Sequence, residues 1–113
     1  MRNLNKWLVV IQMKHNYLNL VGLAYRARKC STGEEIIVKD IQQRKAKLIL
    51  LASDIGSQTR KKMIDKCNTY DIPYVVVDDR VTLANALGKS QRVAVAILDE
   101  GFATKIRSLL QEV

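Results

Sequence analysis

Proline occurs once in the 113 residues, histidine once, phenylalanine once and cysteine twice, and the five glycines are scattered. Each scarcity removes a class of explanation. So little proline and glycine excludes collagen-like and low-complexity chains, and with 48% hydrophobic residues the chain can bury a core of its own. Its length suits one domain. Cys30 and Cys67 form no Cys-x-x-Cys and have no histidine cluster beside them, which excludes a zinc site and a dense disulfide framework and leaves two reduced cysteines as the expectation. The one histidine, His15, lies ahead of the core-forming segments, so no Ser-His, Cys-His or His-metal arrangement can be assembled around the core. The glycines at 22, 33, 56, 88 and 101 make neither a GxGxxG nor a P-loop. Adjacent carboxylates at Glu34-Glu35, Asp78-Asp79 and Asp99-Glu100 diverge on a helix or strand, and read as helix-start charge and solvated loop. The apolar runs from Trp7 to Ile11, Leu48 to Ala52 and Val93 to Leu98 all fall short of the ~18 residues of a membrane span. The first of them also lacks the length and the cleavage site of a secretory signal. A cytoplasmic, non-catalytic protein without metal or cofactor is expected.

Acidic residues are also scarce where it matters. Residues 1 to 33 contain Arg2, Lys6, Lys14, Arg26, Arg28 and Lys29 and no Asp or Glu, and the whole chain sets 19 Lys and Arg against 11 Asp and Glu for a net charge of +8. Such an excess calls for a polyanion, with nucleic acid the first candidate and a membrane surface the second. Helix dipole complementarity accounts for part of the cluster Arg26, Arg28 and Lys29.

The apolar periodicity predicts an amphipathic helix from about 16 to 28, with Tyr17, Leu18, Leu20, Val21 and Ala24 recurring at helical spacing. Residues 1 to 13 read as an appendage, with Met13 an alternative translation start, and residues 14 to 113 as the single domain. Buried strands are expected at Leu48 to Ala52, Tyr74 to Val77 and Val93 to Leu98, with a short extra strand near Lys29 to Ser31. Helices are expected at Gly33 to Arg44, Ser57 to Tyr70, Val81 to Leu87 and Gly101 to Gln111. Strands alternating with helices imply an α/β/α sandwich.

Two segments suggest binding chemistry. The polar turn Cys30-Ser31-Thr32-Gly33-Glu34-Glu35 leads into a helix whose first N–H groups could receive a phosphate or a base edge. Glu35 and Lys39 share a face of that helix by their spacing, either as a surface ion pair or as an acceptor and a donor for base edges. In RNA, side chains reach base edges where non-Watson-Crick pairing opens the narrow groove. The second segment, Leu83 to Arg92, is a short helix that breaks at Gly88 into a basic, polar loop, expected to lie beside the Gly33 turn.

Ser31-Thr32-Gly33-Glu34-Glu35 through Lys39, Ala46 to Asp54, Ile72-Pro73-Tyr74 and Leu83 to Gly88 together resemble the kink-turn-binding ribosomal protein family of the L7Ae and L30e type, and are most similar to its bacterial YlxQ-type branch. The likeness runs from about Tyr17 to Leu110 with the order and spacing of all these segments kept. It implies a three-layer α/β/α sandwich with a mixed four-stranded sheet. It also implies binding to kink-turn RNA, in which the helix after the Gly turn enters the groove at tandem sheared G·A pairs and the loop before the last strand covers a flipped nucleotide. The family signature is Gly, a small residue or Thr, Asn, Glu, two residues, then Lys. Gly33 and Lys39 match it, whereas Glu34, Glu35 and Ile36 stand at the small-residue, Asn and Glu positions. A carboxylate in place of Asn cannot donate to guanine O6 and repels a nearby phosphate, so weaker or altered binding is expected. Lys89, Ser90, Gln91 and Arg92 stand where many relatives are apolar, which shifts that contact from stacking toward charge.

The resemblance thus assigns Thr32, Gly33, Glu34, Glu35 and Lys39 to the opened groove and Gly88, Lys89, Ser90 and Arg92 to the flanking loop. Arg28, Lys29, Arg60 and Lys61 are assigned to phosphates. A monomer bound to a structured RNA of the translation machinery, ribosomal RNA or RNase P RNA, is the expected ribonucleoprotein. The competing expectation is a protein-protein adaptor that kept the fold and docks through Trp7, Leu8 and Val9.

Overall fold

The computed structural model describes residues 16–111; the segment 1 to 13 set apart above, with Trp7, Leu8 and Val9, and His15 lie outside these residues. A helix over 16–26 (α1) is followed by β1 (Cys30–Thr32), α2 (Glu34–Gln42), β2 (Leu48–Leu51), α3 (Ser57–Tyr70), β3 (Tyr74–Val76), α4 (Arg80–Ala86), β4 (Ala94–Ile97) and α5 (Glu100–Gln111). The four strands form one sheet in the order β1-β4-β2-β3. β2 and β3 are parallel, and β4 runs antiparallel to both β2 and β1, so the sheet is mixed as the resemblance implied.

Both faces of this sheet are covered at its central strands β2 and β4, which is why these carry continuous apolar runs instead of alternation, whereas β3, expected to be buried, lies at the edge and leaves Tyr74 and Val76 exposed. Leu48 and Leu50 of β2 join Val95 and Ile97 of β4 in a core with Tyr17, Val21, Leu83, Leu87, Ala103 and Ile106, from α1, α4 and α5. Their neighbours Ile49, Leu51, Ala94 and Ala96 point the other way and pack with Ile37, Ile41, Met63 and Cys67 of α2 and α3. Three layers result. On β4 the small Ala94 and Ala96 face α2 and α3, while Val95 and Ile97 face α1, α4 and α5. Cys67 is buried and Cys30 half-buried, both free, and burial pushes their thiols up to about 11 and about 12, so they pack as small apolar groups.

Polar ties set the layers in place. The Tyr17 hydroxyl of α1 donates to Asp78 Oδ2 at 2.7 Å, across the start of α4, and burial with this bond raises the tyrosine well above its ordinary value. Ser31 Oγ donates to Asp40 Oδ2 at 2.7 Å and fastens β1 to α2. α1 ends at residue 26 rather than 28 and α2 at Gln42 rather than Arg44, because Arg28 and Arg44 adopt left-handed φ of 62° and 59° and close the helices. In each case a 6→1 bond completes the turn, from Lys29 N to Ala24 O and from Lys45 N to Asp40 O, both at 2.8 Å.

Candidate nucleic-acid interface

Strand register decides which loops can act together. Thr32 at the end of β1 is opposite Val95, Leu51 at the end of β2 is opposite Ala94, and Val76 at the end of β3 is level with Leu51. The carboxyl ends of β1, β2 and β3 and the amino end of β4 therefore share one rim of the sheet. The Gly33 turn, the Gly56 turn, the Asp79 turn and the end of the 88–93 loop all meet there. This is the rim at which α/β sheets commonly place their ligands.

The helices that start at this rim differ in how they are capped. Asp79 Oδ2 accepts from Val81 N and Thr82 N, each at 3.1 Å, and Thr82 Oγ1 donates to Asp79 Oδ1 at 2.8 Å, so the first turn of α4 is closed. α2 and α3 begin instead at Gly33 and Gly56 with no side-chain cap, leaving their first N–H groups open to an acceptor from outside. Gly33 has φ of 96°, a conformation that side chains resist, and this lets β1 turn directly into α2. The bonds from Thr82, first its hydroxyl and then its amide, lower the Asp79 carboxyl below its usual range. A carboxyl depressed in the folded state contributes stability that is present above its unfolded value of about 4 and is lost as pH falls through the folded value. Asp79→Ala should therefore lower the melting temperature near neutral pH, with the difference from the parent protein closing as thermal melts are carried below about pH 4.

α2 turns Ile37 and Ile41 inward, and by helical geometry Glu35, Ile36 and Lys39 form its outward face; Ile36 is 56% exposed. Among the described residues Glu35 and Lys39 carry no ion pair, with each other or elsewhere, so the surface-pair reading of their spacing does not hold. Glu34 instead reaches across to α3, where Lys62 Nζ lies 2.8 Å from its carboxylate. That hydrogen bond and charge raise the Lys62 ammonium above its ordinary value. Gly33, Glu34, Glu35, Ile36 and Lys62 line a shallow open cleft between the two helices.

Gly33, Glu34 and Glu35 thus share the cleft, Thr32 ends β1 beside it and Lys39 follows in the last turn of α2; of the 88–93 loop only the end reaches this rim, since Gly88 and Lys89 follow the far end of α4. Gly88 closes α4 at φ of 71°. The Lys89 ammonium lies 5.8 Å from the centroid of the Tyr25 ring and leans on α1, Ser90 is exposed, and Arg92 Nη1 donates to Gln91 O at 2.6 Å. Arg60 stands exposed in the first turn of α3, and Lys61 pairs with Asp65 on its own helix at 3.3 Å. Arg28 and Lys29 are not brought to this rim. Cys30 is opposite Ile97 and Leu98 N donates to Lys29 O at 2.7 Å, so both cations sit by the far end of β4, a strand's length from Gly33. Lys62 belongs to the cleft although the sequence does not single it out. Periodicity places it beside the buried Met63, but the flank that faces α2 is a tertiary fact.

Among the described residues no group of three or more His, Cys, Asp or Glu could hold a metal, and no helix is long and apolar enough to cross a membrane. One mixed sheet between two helical layers, with α2 turned by a glycine at one rim, makes the chain a small three-layer α/β/α module. Residues 15–107 match the ribosomal protein L7Ae/L30e/S12e/Gadd45 family, and the chain belongs to it. It is 50% identical over 91 residues to RNA-binding protein YlxQ of Bacillus subtilis, covering 80% of this chain and 91% of that protein. It is 38% identical to RNA-binding protein YlxQ of Enterococcus faecium, covering 83% of this chain and 90% of that one. The structure of a Bacillus halodurans protein of unknown function is similar with a TM-score of 0.82 and 45% identity, over 84% of this chain and 96% of that one. The Giardia lamblia 15.5kD RNA binding protein shares the fold, with a TM-score of 0.76 at 19% identity over 90% of this chain and 88% of that one.

Proposed function

We propose that the chain is a non-catalytic RNA-binding protein that recognises a kink-turn or similarly bent motif in a structured RNA of the translation machinery. The carrying observation is the register that sets the start of α2, with Glu35, Ile36 and Lys39 outward, against the loop that enters β4. Lys39 is free to donate to a guanine edge and Glu35 to accept from a base amine, while the loop covers the neighbouring nucleotide. Family membership and the names of the YlxQ relatives support the same reading. Ribosomal RNA and RNase P RNA are the candidate partners, the cytoplasm the compartment and a monomer the working unit, with residues 14–113 as the binding domain. The departures at Glu34, Glu35 and Ile36 favour a second reading, an adaptor with weak, generic RNA affinity.

Titration into a kink-turn RNA, and into the same RNA with its sheared G·A pairs changed to Watson-Crick pairs, separates the two. Tight binding to the first RNA alone is expected. With about four phosphates neutralised, log K should fall with log salt at a slope of roughly −3. Equal weak binding to both RNAs would move the adaptor ahead.

A further inference from the structure

The ion pair between Glu34 and Lys62 crosses from α2 to α3 beside the outward face of α2, and no residue of the family signature accounts for its α3 half. Its two side chains remain 38% and 49% exposed, so the pair closes no core and leaves the ammonium open to solvent. An ammonium carries three donors, of which Glu34 takes one. The neighbouring Lys61 is turned along α3 to Asp65, which makes Lys62 the α3 cation committed to the cleft. Charge gives this commitment a purpose. Glu34 and Glu35 place two carboxylates at the start of α2, with Asp40 a third further along the helix, against the single cation Lys39, a balance that would repel a polyanion. Lys62 adds a second cation to that balance and covers the carboxylate nearest the turn.

We propose that Lys62 is a phosphate-contacting residue of the RNA surface and the shield of Glu34, with Glu34 as the positioning residue that holds the ammonium over the start of α2. The inference rests on the reading of the rim as a kink-turn surface. It assigns to α3 a contact made by a side chain outside the α2 signature. Removing Lys62 then has two effects, loss of a phosphate contact and exposure of a bare carboxylate, and the second vanishes when residue 34 is neutral.

The test is a double-mutant cycle on the full chain, with kink-turn RNA and its Watson-Crick variant, over a range of salt. Lys62→Ala should bind the kink-turn about tenfold more weakly, with a salt slope shallower by about 1, as for a phosphate-binding lysine. In the Glu34→Gln background the same substitution should cost only about threefold, Lys62→Arg should retain most of the affinity, and Lys105→Ala, an exposed cation of α5 on the opposite side of the sheet, should stay within about twofold of the parent. A parent protein that prefers the kink-turn, with Lys62→Ala unchanged or equally costly in both backgrounds, overturns this inference alone. A parent protein that does not distinguish the two RNAs overturns the kink-turn reading and the inference together.

Discussion

Replacing Gly22 with alanine is expected to destabilise the fold by about 2 kcal/mol, although alanine is the better helix former by about 1 kcal/mol. α1 passes so close to α4 that a Cβ at Gly22 would stand 2.8 Å from the carbonyl oxygen of Ala86. That oxygen is backbone and cannot rotate aside, so α4 itself has to move. Since Ala86 ends α4 and Gly88 opens the loop to β4, the displacement is passed to the loop that the proposed function assigns to RNA, and affinity should fall with stability. Gly56→Ala is the matched control. Nothing lies within 4 Å of its added Cβ and its φ is −62°, so its effect should stay within roughly 0.5 kcal/mol. Urea denaturation at constant slope checks both; Gly22→Ala unfolding at or beyond the parent midpoint would mean that α1 and α4 do not meet as described.

Lys39→Ala should weaken kink-turn binding by at least about 1 kcal/mol, roughly fivefold, and leave the melting temperature unchanged. The side chain is exposed and pairs with no carboxylate among the described residues, so truncating it removes nothing that holds the fold. The loss should be smaller for the Watson-Crick control RNA, because a donor to a guanine edge discriminates where a phosphate contact does not. Isothermal titration with both RNAs measures the difference. Identical losses would reduce Lys39 to a generic cation, and no loss would favour the adaptor.

The architecture was legible because the burial pattern is strong. The runs at Leu48 to Leu51 and Ala94 to Ile97 are buried on both faces, and the helical apolar spacing of Tyr17, Val21 and Ala24 or of Met63 and Cys67 names the inward stripe directly. Helix ends were less legible for a physical reason. α1, α2 and α3 close on Arg28, Arg44 and Asp71 in the left-handed region, where glycine is the usual signal, and of the four helices whose ends lie among the described residues one, α4, uses a glycine, Gly88. The two arginines carry no local mark of an ending, and the expected helices ran two residues long. At the candidate site, Gly33 and Lys39 were visible through their spacing. The partnership of Glu34 with Lys62 was not, because it joins residues 28 positions apart in sequence on different helices. The far placement of Arg28 and Lys29 was hidden for the same reason, since only the pairing of Cys30 with Ile97 reveals at which end of the sheet they lie.

The pairing of Thr32 with Val95 carries a consequence for folding as well as for geometry. β1 is three residues long, sits at the sheet edge and has β4 as its neighbour in the sheet, so the surface assigned to RNA is assembled across one of the longest sequence separations in the domain. Such contacts bear the highest loop-closure cost and form late, and short edge strands are among the first elements to open in the native state. A partner that spans the Gly33 turn and the β4 loop would stitch that seam shut. RNA would then act on this protein as a thermodynamic fastener, deepening the stability of a short edge strand by mass action.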